Sequence, residues 1–260
     1  MDKKEAISKL AGILRKYGYP ESFLQIMDVY EKVKPGFLFQ TEKSKMLYDI
    51  IERPVKELDL FITPKHGLYV TYDPKRFRSW KNPISYKLKG KQLGSFYLGY
   101  PKCCEFAFNS HLVRLFGFHT YYILKKALAD KDSKALKRFK TFFKDLMELE
   151  EYGPCVVGCP ETHKRAVKFR AVRKKYSSFL PSGYIKRRKK EAKEFLIENL
   201  ELVKSGKSRK LFRKELPLIK KNAKTFHLRK DFFKEIESLL ENPNSKKELI
   251  SKELHFVKGL

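Results

Sequence analysis

Apolar residues recur three or four positions apart through the first part of the chain, which is the spacing of one face of an α-helix. This pattern predicts helices over residues 2–18 and 21–33, with Pro20 between them. A third helix is expected over 41–52 and should end before Pro54, because proline disrupts a helix interior.

Residues 60–100 follow a two-residue period that is typical of β-strands. The stretch GLYVTYDP, residues 67–74, alternates apolar and polar side chains. The stretch ISYKLKGKQLGSFYLGY, residues 84–100, reads as two short strands around a turn near Gly90. We therefore expect a small antiparallel sheet contributed by residues 60–100.

Helical spacing returns after Pro101 and continues towards the C-terminus. A break is expected at Gly117, and a less regular stretch is expected through Pro217. The predicted helices cover residues 102–116, 118–129, 133–151, 160–176, 184–204, 231–243 and 245–256.

These elements predict an α+β fold that is mainly helical, and a chain of 260 residues with 42% apolar content can bury a sizeable core. We expect a mixed helical and β domain over residues 1–163, which carries every cysteine. A basic helical region over 164–260 should pack on this domain.

The hydropathy pattern predicts a cytoplasmic protein with no membrane contact. No apolar run approaches the roughly 20 residues that a helix needs to cross a bilayer. The N-terminal segment MDKKEAISKLAGILRKYGYP is charged and lacks the apolar core of a signal peptide. Lysine and glutamate are abundant and glutamine is rare, a bias typical of hyperthermophile proteins, in which intracellular disulfides do occur.

The positive charge of the chain is concentrated in one segment. Residues 164–230 contain 24 lysines and arginines against five glutamates and no aspartate, which supplies +19 of the formal net charge of +28. Charge of this density favours an anionic partner, and a polyphosphate backbone is the usual one. A solvated helical surface that binds nothing is the simpler alternative.

We therefore expect nucleic-acid binding in this segment, to RNA rather than DNA. Tyr176, Phe179 and Tyr184 could stack on bases, although aromatic residues at this spacing are more typical of a core. The predicted contacts to phosphate are Arg165, Lys168, Arg173, Lys174, Lys175, Lys186, Arg187, Arg188, Lys189 and Lys190.

All four cysteines occur in two tight pairs, each beside a proline. Cys103 and Cys104 lie in LGYPKCCEFAF, and the other two lie in GPCVVGCPETH, residues 153–163. Proline favours the first position of a helix, so each pair should meet the positive end of a helix dipole, which favours thiolate over thiol. Pro160 forbids a continuous helix through the second pair, which predicts a tight loop that turns at Gly158.

Three hypotheses explain the cysteine pairs. In the first, Cys103, Cys104, Cys155 and Cys159 hold zinc or an iron–sulfur cluster, with His163 or His111 as a further candidate ligand. In the second, they form a redox-active or structural disulfide, for instance between Cys104 and Cys155. In the third, they are small buried apolar residues.

The phrases GYPKCCEFAF and GPCVVGCPETH, in a lysine-rich chain, resemble the prokaryotic, archaeal domain-of-unknown-function family numbered 483. That family has no assigned activity, so the resemblance implies a shared cysteine site. The paired cysteines also faintly resemble the CCG domains of heterodisulfide reductases, which implies an iron–sulfur cluster, although Glu105 replaces the glycine after the pair.

The sequence therefore predicts a cytoplasmic nucleic-acid-binding protein with a four-cysteine metal or iron–sulfur site. One alternative is a thiol-dependent or redox enzyme that acts on an anionic substrate. Another is a basic scaffold protein with inert cysteines. The motifs of P-loop proteins, of dinucleotide-binding folds and of zinc metalloproteases do not occur in the chain.

Overall fold

The structure is a computed structural model, and it describes residues 2–39, 44–81, 96–149, 153–241 and 247–260. Over these residues the chain forms twelve α-helices and one three-stranded antiparallel sheet. The predicted fold class, α+β and mainly helical, is confirmed.

The chain divides into two compact units. The first unit comprises Met1–Pro101 and Val167–Ser182, and the second unit comprises Lys102–Ala166 and Gly183–Leu260. These units do not coincide with the two regions expected from the sequence, 1–163 and 164–260. The expected domain boundary after residue 163 stays a prediction.

The first unit carries the sheet and four helices before Pro101. Asp2 caps the first helix, because its carboxylate accepts a hydrogen bond from the Glu5 backbone N–H at 2.7 Å. The elements in chain order are α1 (Lys3–Lys16), α2 (Pro20–Tyr30), β1 (Gly36–Phe39), α3 (Ser44–Glu57), β2 (Phe61–Thr63), β3 (Leu68–Thr71) and α4 (Pro74–Lys81).

The sheet has the order β1-β3-β2, and both pairings are antiparallel. The predicted strand within 67–74 is confirmed as β3, the central strand, whose four residues are all buried. One edge strand, Gly36–Phe39, comes from outside the expected range of 60–100. The predicted strands within 84–95 lie outside the described residues.

The second unit is built around one buried helix. This helix, α6 (Val113–Leu128), packs against several other helices of the unit, and its Phe118 ring stacks on that of Phe212 with 3.9 Å between the ring centroids. The elements are α5 (Lys102–Asn109), α6 (Val113–Leu128), α7 (Ser133–Leu146), α8 (Pro160–Lys175, which from Val167 onward belongs to the first unit), α9 (Tyr184–Lys204), α10 (Gly206–Lys221), α11 (Lys230–Glu241) and α12 (Lys247–Gly259).

Three predicted helix boundaries are wrong. The break expected at Gly117 falls instead at residues 110–112, where His111 has a φ of 55°. Gly117 lies inside α6, and a Cβ on it would come within 2.5 Å of the Asn199 carbonyl oxygen, so the glycine serves the close approach of α6 and α9. Both Pro54 and Pro217 lie within helices, α3 and α10.

Tertiary packing explains why these helices tolerate proline. Residues 206–221, expected to be irregular, form an amphipathic helix that buries Phe212, Leu216 and Ile219. The free energy gained by burying this apolar face exceeds the free energy lost with the one hydrogen bond that the proline removes. No helix among the described residues combines the length and the apolar content that crossing a bilayer requires.

Candidate metal centre

The second unit brings the four cysteines together. Cys103 and Cys104 lie in the first turn of α5, while Cys155 and Cys159 lie on the loop that precedes α8. All four side chains are buried, and the four Sγ atoms lie within 4.8 Å of one another. The predicted convergence of the two pairs is confirmed.

The spacing of the sulfur atoms matches one tetrahedral metal ion. The Sγ of Cys103 lies 3.9 Å from that of Cys104 and 3.6 Å from that of Cys159. A zinc–sulfur bond of about 2.3 Å gives a tetrahedron with sulfur–sulfur edges of about 3.8 Å. An iron–sulfur cluster binds its thiolates to different irons, which separates the sulfurs further. The geometry therefore fits a mononuclear ion better than a cluster.

The loop geometry explains how Cys155 and Cys159 face the same point. Gly158 has a φ of 70°, a left-handed conformation that glycine adopts without strain. The Cys159 backbone N–H donates to the Val156 carbonyl at 3.3 Å, which closes the turn. Cys159 then caps α8, which begins at Pro160, and its carbonyl accepts from the His163 N–H at 3.0 Å.

Two side chains hold this loop through a single residue, Val157. The Val157 backbone N–H donates to Nδ1 of His119 at 3.2 Å, and its carbonyl accepts from the Arg138 guanidinium at 3.0 Å. Both partners project from helices of the same unit, α6 and α7. No sequence motif connects His119 or Arg138 with the cysteines, because both side chains form hydrogen bonds with the backbone of the loop.

Burial keeps His119 neutral. Its side chain is 2% exposed, and removal from water lowers the pKa of the imidazole to about 3. Because Nδ1 accepts the bond from Val157, the ring proton must sit on Nε2. This tautomer fixes the direction of the ring relative to the loop.

Hydrogen bonds among the four cysteines shift the pKa values of their thiols. These bonds lower the pKa of Cys159 and that of Cys103. Donation of such bonds raises the pKa of Cys104 and Cys155, and burial raises both further. The Cys104 sulfur also lies 3.5 Å from the hydroxyl of Thr162. A divalent cation bound by all four sulfurs would deprotonate the whole set.

The two candidate histidine ligands lie apart from the cysteine group. The group of possible ligands found among the described residues consists of the four cysteines alone. Nδ1 of His163 instead forms a hydrogen bond of 2.7 Å with the buried carboxylate of Asp145. His111 is exposed on the break between α5 and α6, which removes it from the helical face shared with Cys104. The four-sulfur set is thus complete without either histidine.

Two alternatives for the cysteines, a disulfide and a thiol-dependent enzyme, can be compared with the structure. All four thiols are free, so the structure contains none of the expected disulfides. A cavity of about 220 Å³ reaches Cys104 and Cys155, and its remaining lining is mostly apolar, including Phe108, Phe116 and Leu202. A small apolar molecule would fit this cavity better than the anionic substrate expected from the sequence.

The predicted nucleic-acid contacts fall into two groups. Arg165 and Arg173 are buried, and Arg173 pairs with the buried Asp28 of the same unit at 2.7 Å. Arg188 is half-buried and donates to the carbonyls of Met147 and Leu149. The remaining side chains are exposed: Lys168, Lys174 and Lys175 in the first unit, and Lys186, Arg187, Lys189 and Lys190 in the second.

The aromatic residues of the basic segment pack inside the protein. Tyr176 is buried and donates to Glu31 at 2.6 Å, and Tyr184 is buried as well. Phe179 is half-buried, with its ring centroid 5.3 Å from that of Phe23. These contacts favour the core interpretation over base stacking.

The chain matches no protein-family model, no curated protein and no solved structure. The resemblance of its two cysteine motifs to the family numbered 483 therefore stays a prediction.

Proposed function

We propose that the protein binds one zinc ion through Cys103, Cys104, Cys155 and Cys159, and that this ion has a structural role. The observation that carries the proposal is the grouping of four buried Sγ atoms within 4.8 Å. Sets of four cysteines are typical of closed structural zinc sites, whereas catalytic zinc keeps one position open for water or substrate.

The ion would join two segments that are distant in sequence. Cys103 and Cys104 begin α5, and Cys155 and Cys159 flank a short loop that makes few backbone hydrogen bonds of its own. A metal that binds only the folded arrangement adds its binding free energy to the stability of that arrangement. The ion would therefore stabilise the second unit.

Metal content measured on protein purified under anaerobic conditions tests this proposal. We expect one zinc per chain by elemental analysis, and replacement by Co²⁺ should give the absorption of a tetrahedral thiolate complex. A ratio near four irons per chain with inorganic sulfide would establish a cluster instead. Protein that binds neither zinc nor iron after reduction would overturn the proposal.

We also propose that the exposed lysines of the basic segment bind the backbone of a nucleic acid, RNA in preference to DNA. Three features support this: the net charge of +19 over residues 164–230, the exposure of Lys186, Lys189 and Lys190 on one helix, and their position outside the core. Arg165, Arg173 and Arg188 have structural contacts that make them poor candidates for phosphate binding.

Salt dependence of RNA binding tests this second proposal. Substitution of Lys186, Lys189 and Lys190 by glutamine should reduce the slope of log affinity against log salt by up to about 3 if all three contact phosphate. The control variant K140Q/K144Q/K252Q removes the same charge at other exposed positions of the second unit. Equal effects of the two variants, or no binding of RNA at low salt, would contradict the proposal.

The cavity beside Cys104 and Cys155 favours one alternative function, an enzyme that uses one of these thiols on a small apolar substrate. The metal-loaded protein should then react at a single thiol, and faster with neutral iodoacetamide than with anionic iodoacetate. Complete protection of all four thiols by the metal would exclude this alternative.

A further inference from the structure

A second cavity of the second unit is lined by positive charge. Its volume is about 460 Å³, and Lys134, Lys137 and Arg138 contribute to its wall from α7. Residues at i, i+3 and i+4 lie on one face of a helix, so the three cations face the same space. Gly158 and Pro160, from the cysteine loop and the start of α8, form part of the opposite lining.

The three cations have no acidic partner among the described residues. No ion pair there involves Lys134, Lys137 or Arg138, although many lysines and arginines elsewhere in the chain are paired. Like charges at this spacing repel one another, which destabilises a helix unless an anion is present. Arg138 is also half-buried, and burial lowers the pKa of its guanidinium. A counter-ion in the cavity would relieve both costs.

Polar groups that can complete an anion site line the same cavity. The hydroxyl of Thr141 lies one helical turn beyond Lys137 and Arg138, and His163 lines the cavity with its imidazole half-exposed. The carboxylate of the cavity, Asp145, is turned away from solvent and bonded to Nδ1 of His163 at 2.7 Å. The charge that a ligand meets is therefore dominated by the three cations.

We propose that this cavity binds a single phosphate group, held by the side chains of Lys134, Lys137 and Arg138. Several converging cations favour a dianion or a phosphodiester over a single carboxylate, and Arg138 can present two N–H donors in a fixed plane. None of these residues was predicted as a nucleic-acid contact, and the site does not depend on the basic segment 164–230. The proposal therefore holds or fails independently of the proposed RNA binding by the basic segment.

Isothermal titration of the 260-residue chain with inorganic phosphate at low ionic strength tests the site directly. The variant K134Q/K137Q should weaken phosphate binding at least tenfold. The control K140Q/K144Q removes two exposed lysines from the same helix, outside the cavity, and should change the affinity less than twofold. Thr141→Val, which keeps the charge constant, should weaken binding by about three- to tenfold. Unchanged circular dichroism and metal content establish that the variants are folded.

A pair of RNA octamers of one sequence, with and without a 5′-phosphate, identifies the source of the phosphate. If the protein prefers the phosphorylated octamer and K134Q/K137Q abolishes this preference, the cavity binds a terminal phosphate. If both octamers bind equally, inorganic phosphate displaces both, and the same variant weakens both, the cavity binds a backbone phosphodiester. Failure to bind phosphate, or equal losses in K134Q/K137Q and K140Q/K144Q, would overturn the proposal.

Discussion

The backbone N–H of Val157 donates to Nδ1 of His119, 3.2 Å away, and thereby fixes the loop that carries Cys155 and Cys159 to the central helix of the second unit. Neither residue is a candidate ligand. Partners of this kind orient the ligands of metal sites in general, and their loss weakens metal binding without removing a ligand. The bond requires a neutral imidazole, since a doubly protonated ring has no acceptor.

The first prediction concerns acid stability. His119 has a pKa of about 3 in the folded protein and about 6.5 in an unfolded chain, so between pH 6.5 and pH 3 the unfolded state binds a proton that the folded state does not. The free energy of unfolding should be independent of this group above pH 6.5 and should fall by about 1.4 kcal/mol per pH unit below it. Urea titrations of metal-free, reduced protein between pH 4 and pH 8 measure the slope.

Matched variants separate this group from other acid effects. His119→Asn keeps an acceptor near the position of Nδ1 but cannot titrate. The unfolding free energy of this variant should therefore lack the additional decrease below pH 6.5. His227→Asn alters an exposed histidine and should keep it. A wild-type slope that survives in His119→Asn would show that another group is responsible.

The second prediction concerns the ligands. Cys159→Ser should abolish binding of one zinc and lower the melting temperature of zinc-loaded protein by about 6–12 °C, which corresponds to at least 3 kcal/mol for a chain of this size. Serine is a poor ligand for zinc, although its volume is close to that of cysteine. The reference measurement is the wild type with a chelator, which should melt close to the variant. If the variant has the same melting temperature as the zinc-loaded wild type, the result would favour the interpretation of the cysteines as inert apolar residues.

The sequence was sufficient to predict the fold class and the cysteine group, and local physics explains why. The helical period is strong in α7 and α11, and a proline beside each cysteine pair marks a helix start. The first turn of α5 places the Sγ atoms of Cys103 and Cys104 3.9 Å apart.

Tertiary contacts explain the features that could not be predicted from the sequence. Gly117 resembles a helix break, yet it permits the close approach of two helices. Arg173 resembles a phosphate contact by composition, yet it is buried against Asp28, a residue 145 positions away in the chain. The cations around the second cavity belong to a helix outside the basic segment 164–230, and only the packing of Gly158 and Pro160 near them forms the cavity.

The third prediction tests the structural role of Arg173. Asp28→Ala leaves a buried guanidinium without its 2.7 Å partner and should cost about 3–5 kcal/mol of unfolding free energy. Substitution of the exposed neighbour Lys174 by glutamine should cost less than about 0.5 kcal/mol. Urea denaturation measures both. A loss below about 1 kcal/mol in Asp28→Ala would mean that Arg173 is solvated and again a candidate for phosphate binding.

The fourth prediction uses two glycines with the same backbone conformation. Gly158 and Gly183 have φ values of 70° and 74°, so alanine at either position pays the left-handed strain of about 1–2 kcal/mol. At Gly158 the added Cβ would also lie 2.5 Å from Nε of Arg138, whereas at Gly183 it would meet nothing within 4 Å. Gly158→Ala should therefore be the more destabilising of the two.

Because Arg138 holds the Val157 carbonyl, its displacement should also weaken zinc binding by about 10- to 100-fold, as measured by competition with a chromogenic chelator. Gly183→Ala should leave the zinc affinity unchanged. Equal zinc affinities in the two variants would show that Arg138 does not support the cysteine loop.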